Sequence, residues 1–226
     1  PKKPEDFLTE EDIQFVRQSL DSAERPVVLI GSGVRSANST EELETFLANS
    51  QIPVVYSASA PDVYGLDHSL SIGSVGIMGS TRAGNFALQN SDLLLVLGCR
   101  LSSMIAGSDP DKFARKASVI VVDIDKIEHS KGTVNIDRLI NSDLKAFLNQ
   151  VNRIKINSAP VEWQEKCKHW KKVFPRCEKN FISEDKIDLY DLTEHLSEML
   201  PEKSVVITDS GLIELILPNN IIFKRI

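Results

Sequence analysis

"RPVVLIGSGVRS", residues 25–36, is the stretch that decides the fold. Four apolar residues in a row, Val27 to Ile30, run straight into Gly31-Ser32-Gly33. An unbroken apolar run suits a strand buried on both faces, as in a parallel sheet. The glycines let the chain turn sharply where the strand ends. The pattern repeats in "IPVVY" (52–56), "LLLVLG" (93–98) and "SVIVVDID" (118–125), with a shorter strand expected at "RLI" (138–140). Helical patterns fall between them. Thr9 and Asp12 form a capping box ahead of Ile13, Val16 and Leu20; Ser39 and Glu42 form another ahead of Leu43, Phe46 and Leu47. Ser80 is the expected cap of a helix through Phe86 and Ala87, and Ser142 of one through Leu144, Phe147, Leu148 and Val151. Strand and helix in alternation predict an α/β fold: a doubly wound, mostly parallel sheet with helices on both faces.

Further along, "VNRIKINSAP" (151–160) reads as a linker. Trp163, Cys167, Trp170 and Phe174 then mark one helix face, and Leu189, Leu192, Leu196 and Met199 another. "SVVITDSG" (204–211) is expected to open a second α/β piece with a strand. Both ends read as cut from a longer protein.

Composition narrows the function. Apolar and charged shares of 42% and 26% are those of an ordinary globular chain. A net charge of −6 without a basic stripe argues against nucleic acid. No apolar run is long enough to span a membrane. Three cysteines without a CxxC pair suit a reducing, cytoplasmic setting. Four scattered histidines lack metal-ligand spacing, so no metal site is expected.

In sheets of this kind, ligands sit at the carboxyl ends of the strands. Those ends carry Gly31-Ser32-Gly33, Ser57, Gly98-Cys99-Arg100 and Asp123, which suit a nucleotide. "GSGVRS" has Ser36 where a dinucleotide fingerprint has its third glycine, and "GIMGST" lacks the lysine of a phosphate-binding loop. Asp123 and Asp125 read as turn or ribose-binding acids more readily than as a catalytic pair. Arg35, Arg82 and Arg100, one in each glycine-bearing loop, are candidates to hold a diphosphate jointly.

The segments "RPVVLIGSGVR", "IPVVYSASAPDVYGLDH", "GSVGIMGSTRAGNFALQNSDLLLVLGCRLS" and "VIVVDID", in this order, resemble the central domain of thiamine diphosphate-dependent enzymes, above all the acetolactate synthase family. "WQEKCKHWKKVFP" and "VVITDSG" resemble the run into that family's C-terminal domain. The resemblance implies a linker and first helix over 1–25, a central domain over 26–152, a linker and helix over 153–187 and the truncated start of the C-terminal domain over 188–226. It implies an intact enzyme, an oligomer, that uses thiamine diphosphate and Mg²⁺ to decarboxylate a 2-oxo acid and transfer the resulting unit. The chain contains neither the Gly-Asp-Gly motif that holds that cofactor nor the catalytic glutamate segment, so alone it is expected to be inactive. A non-catalytic adenine-nucleotide or FAD module and a nicotinamide oxidoreductase are the alternatives.

Carried over by the resemblance, a central FAD or ADP site involves Gly31, Gly33 and Arg35, then Gly76, Gly79 and Asn85, then Gly98 and Arg100, and finally Asp123, Ile124 and Asp143. Gly211 falls near the thiamine diphosphate. No catalytic residue is carried over. Met78 replaces a histidine of flavin-bearing synthases, Ser102-Ser103-Met104 an Asp-Asp-Arg, and Ser142 a glycine. These changes favour an adenine nucleotide over intact FAD.

Overall fold

The computed structural model describes residues 8–132, 134–183 and 185–223. Six strands form one parallel sheet: β1 (Pro26–Ile30), β2 (Val54–Tyr56), β3 (Ser71–Ser74), β4 (Leu93–Leu97), β5 (Ser118–Asp123) and β6 (Arg138–Asn141), in the order β3-β2-β1-β4-β5-β6. The apolar runs are buried end to end in β1 and β4, as sheet centres require. Alternate side chains feed two cores. Val28, Ile30, Leu95, Leu97, Ile120 and Val122 face α1 (Glu10–Ser22), α3 (Thr40–Ser50) and α7 (Leu144–Val151). Val27, Leu29, Leu94, Val96, Val119 and Val121 face α4 (Arg82–Asn90) and α8 (Val161–Val173). Short helices α2 (Gly33–Ser36), α5 (Ser103–Ala106) and α6 (Lys126–His129) follow β1, β4 and β5 directly.

The capping box of Thr9 and Asp12 is formed. Other expected caps shift by a residue or dissolve. Thr81, not Ser80, caps α4, and Asp143, not Ser142, caps α7. Ser39 precedes α3 but gives its hydroxyl to the Val34 carbonyl, 3.0 Å away, so the Ser39–Glu42 box is absent. The sheet also has a strand the sequence did not announce. β3, "SIGS", lies at the sheet edge beside β2 and runs into the segment that begins at Gly73.

Beyond the sheet, α9 (Leu189–Met199) and α10 (Leu212–Asn220) pack on each other. The expected "VVIT" strand does not form: residues 204–209 carry no secondary structure, with Val205 85% and Ile207 90% exposed. α10 folds back on the sheet domain, where Tyr56 Oη donates to the Asn219 carbonyl at 2.9 Å and Asn220 Nδ2 to the Gly79 carbonyl at 2.7 Å.

One half-buried cation ties α8 to the loop before β3. Lys171 Nζ donates to the carbonyls of Leu66 at 2.7 Å, His68 at 3.4 Å and Ser71 at 2.7 Å. Burial pushes its ammonium down to about 8, Arg176 adds to the fall and Asp67 opposes it. In the unfolded chain it titrates near 10.5. Between those values the unfolded chain holds the proton and the folded chain does not, so this group makes stability rise with pH. Relative to Lys171→Met, the wild-type chain is expected to gain about 1–3 kcal/mol between those two pH values in urea unfolding. Parallel pH profiles for the two proteins would show that the three carbonyls keep the ammonium charged.

Candidate nucleotide site at the strand ends

The sheet order reverses between β1 and β4, because the chain adds β2 and β3 on one side and then returns to add β4 to β6 on the other. The loops after β1 and β4 therefore leave in opposite directions and open a crevice, the usual ligand position of such sheets. Their backbones meet at its floor. Gly31 N donates to the Leu97 carbonyl and Gly33 N to the Gly98 carbonyl, both at 3.0 Å. An added Cβ on Gly31 would stand 2.2 Å from the Gly98 oxygen, and one on Gly33 2.7 Å from Gly98 Cα. Gly98 itself has φ +57°, in the left-handed region that favours glycine.

Two depressions flank the Gly98 peptide. One, about 220 Å³, is lined by Gly33, Ser36, Asp123, Ile124, Asp143 and Leu144 among others. The other, about 430 Å³, runs along Ser32, Ser57, Cys99, Arg100, Ser102 and Met104. Gly33, Gly98, Asp123, Ile124 and Asp143 thus share the first, and Arg100 lies in the second.

The acids have distinct local tasks. Asp125 caps α6, accepting from Ile127 N and Glu128 N at 3.0 Å. Asp123 Oδ1 accepts from Asp125 N at 2.9 Å, the turn role read from the sequence. Its Oδ2 lies 3.3 Å from Nε2 of His129, whose side chain is 3% exposed. That approach is too poorly aligned to count as a hydrogen bond, so the imidazole nitrogen is a buried polar atom without one, beside the first depression. Asp143 Oδ1 accepts from Ala146 N at 3.1 Å as the cap of α7. Cys99 is no nucleophile: burial pushes its thiol up to about 12, with Asp123 adding to the rise and Ser57 opposing it.

Other candidates are not brought to the crevice. Arg35 pairs with Asp62 and reaches the Ser59 carbonyl at 3.3 Å, on a different depression bounded by Leu200 and Val205. Arg82 pairs with Glu178 and lies 4.9 Å over the Phe174 ring. Only Arg100, 3.2 Å from Glu128, lines the crevice, so the three arginines form no joint diphosphate clamp. Sequence spacing placed all three in strand-end loops but not on one side of them. The glycine-bearing loop is occupied by protein. A Cβ on Gly76 would meet the Met104 carbonyl at 2.8 Å and one on Gly79 the Leu215 carbonyl of α10 at 2.0 Å. Asn85 ties that loop internally, its Nδ2 donating to the Gly76 carbonyl at 2.9 Å. Gly211 has nothing within 4 Å of an added Cβ, so the Asp209–Gly211 turn is no formed cofactor pocket. His129 supports the crevice and was not singled out, while Ser142 and Leu144, which line it, were read only as parts of the α7 helix or as a replaced glycine. A histidine six residues past a strand-end aspartate would have been the signal for the first.

The six-stranded parallel sheet with helices on both faces defines a doubly wound α/β domain. The chain belongs to the thiamine pyrophosphate enzymes: the profile of that family's central domain matches residues 13–151. It is similar to a probable acetolactate synthase large subunit of Methanococcus aeolicus, 38% identical over 58% of this chain and 21% of that protein. It is 30% identical to the acetolactate synthase isozyme 2 large subunit of Escherichia coli K12, over 88% of this chain and 35% of that one. A third relative is the chloroplastic acetolactate synthase of Arabidopsis thaliana, 29% identical over 93% of this chain and 31% of that protein. The chain therefore spans about a fifth to a third of these relatives. Among the described residues, no helix is long and apolar enough to cross a membrane.

Proposed function

We propose that this chain is the nucleotide-domain portion of a thiamine diphosphate-dependent 2-oxo acid decarboxylase and carboligase of the acetolactate synthase type, and that its crevice binds an adenine nucleotide. The crevice at the sheet reversal, closed below by the Gly31, Gly33 and Gly98 backbones, carries the reading. In the whole enzyme thiamine diphosphate with Mg²⁺ supplies the carbanion-stabilising chemistry. Among the described residues, the Asp209–Gly211 turn forms no pocket for it. What this chain contributes is binding. Asp123 accepts from a ribose hydroxyl, with His129 behind it; Arg100 lines the adjoining depression and is the cation offered to the diphosphate. Met104 and Ile105 on the wall of the second depression offer a flavin edge no side-chain hydrogen bond, although Ser32, Ser57 and Ser102 line it as well; the methionine favours ADP over FAD. Three free cysteines fit a reducing compartment such as the cytoplasm, and the multi-domain reading fits an oligomer.

Thermal unfolding with ADP, FAD and NAD tests the binding. ADP at about one hundred times its Kd is expected to stabilise by about 2.7 kcal/mol, a rise of roughly 5–10 °C for a chain of this size. Asp123→Asn should abolish most of that rise. Stabilisation by FAD alone, or a yellow protein as purified, contradicts the choice of nucleotide; no response to any of the three makes the crevice a purely structural feature.

A further inference from the structure

A second constellation lies away from the crevice, where the chain leaves α8 and turns into α9. Cys177 comes from the loop, while Asp191, Glu194 and His195 stand at i, i+3 and i+4 on α9, one face of one helix. The ligand atoms of Cys177, Asp191 and Glu194 all lie within 4.8 Å of one another. The thiol is 4% exposed and makes no hydrogen bond among the described residues, yet it faces two carboxylates. A neutral thiol offers two carboxylates no more than a weak S–H donor, whereas a shared cation would hold all three groups. A cation already bridges the two carboxylates: Lys179 Nζ sits 2.7 Å from Asp191 Oδ1 and 2.9 Å from Glu194 Oε2. Its side chain is 61% exposed and free to swing into water. His195 Nδ1 is held 2.9 Å from the Asp191 carbonyl and stands outside the cluster.

We propose that Cys177, Asp191 and Glu194 form a binding site for a divalent transition-metal ion of the zinc class, in which the Lys179 ammonium is the occupant the metal displaces. One sulfur and two carboxylates are a borderline-soft donor set, suited to zinc or cobalt and poorly suited to magnesium or calcium, which take oxygen alone. Bonds of about 2.0–2.3 Å to a tetrahedral ion put its ligand atoms roughly 3–4 Å apart. The three donors therefore need to close by about an ångström, within the reach of side chains on a loop and a helix face. The thiol proton leaves to solvent as the metal–sulfur bond forms, and Lys179 moves out with its charge intact. The inference is independent of the nucleotide reading, since the site shares no residue with the crevice.

Cobalt(II) titration of the whole chain, followed by absorbance, is the test. The wild-type chain is expected to develop a thiolate-to-cobalt charge-transfer band that saturates at one ion per chain and is bleached by zinc. Cys177→Ser is expected to lose the band and bind cobalt at least about tenfold more weakly. Asp191→Asn, which keeps the thiol, should retain a weaker band. Lys179→Met should bind cobalt more tightly, by up to about fivefold, because the competing ammonium is gone; a purely structural ion pair predicts no such gain. Melting curves confirm that each variant is folded, and Asp191→Asn carries the test if Cys177→Ser is not. No band in the wild-type chain, a band that survives Cys177→Ser and so belongs to Cys99 or Cys167, or unchanged affinity in Lys179→Met would each overturn the proposal.

Discussion

Gly98→Ala is expected to destabilise the chain by about 2–5 kcal/mol and to abolish nucleotide binding, the first through two separable causes. The residue has φ +57°, where a Cβ costs about 1–2 kcal/mol by its clash with the following carbonyl. An added Cβ would also stand 2.6 Å from Leu144 Cδ1 and 2.8 Å from Gly33 Cα, an overpacking worth about 1–3 kcal/mol. The leucine end can shift; the glycine backbone cannot without opening the crevice floor. For a chain of this size the sum corresponds to a fall of roughly 4–20 °C in Tm. Gly132→Ala supplies the internal comparison. Gly132 has φ +67° and nothing within 4 Å of an added Cβ, so it carries the conformational cost alone. Equal losses at the two positions would mean that the close approach of the β1 and β4 loops contributes nothing.

The same contacts explain what the sequence could and could not tell. β1, β4 and β5 were legible because strands buried on both faces leave unbroken apolar runs. β3 was not, because "SIGS" offers one large apolar side chain, Ile72, and pairs at the edge with Val54, Val55 and Tyr56 only. "VVIT" fails in the opposite way. Its β-branched residues favour a strand, but propensity without a free neighbouring edge forms no ladder, and Val205 and Ile207 remain in water. On α9 the spacing of Leu189, Leu192, Leu196 and Met199 marked a helix correctly but not its innermost side. Thr193 and Ser197 are the buried residues, because Ser197 Oγ accepts from Ile222 N at 3.0 Å where the chain leaves α10. In the crevice, glycines and a strand-end acid were readable from the order of elements. The partner of that acid, His129, was not, since its burial depends on how α6 folds back over β6.

Trp163→Ala is expected to cost about 3–5 kcal/mol, as much as a large core deletion, although the residue lies beyond the stretch that matches the family's central domain. The linker and helix assigned to 153–187 are not peripheral to the sheet. Trp163 is 5% exposed in the same core as Val27, Leu29 and Val121, and its Nε1 donates to the Pro26 carbonyl at 2.9 Å. Cys167, one turn on, is fully buried, and Trp170 stands edge-on to Trp163 with ring centroids 5.6 Å apart. Trp170 also meets Phe86 of α4 at 5.8 Å, so α8 and α4 cover one sheet face together. The expected fall in Tm is roughly 6–20 °C. Trp163→Phe keeps most of the packing and removes the indole donor, so its loss should be nearer 1 kcal/mol. A chain ended at Asn157 should fare worse than either, because Val27, Leu29 and Ile72 would lose their cover along one side. The folding unit then runs through α8, about twenty residues past the family match. If the shortened chain melts as cooperatively and as high as the full one, α8 is an appendage and the unit ends at α7.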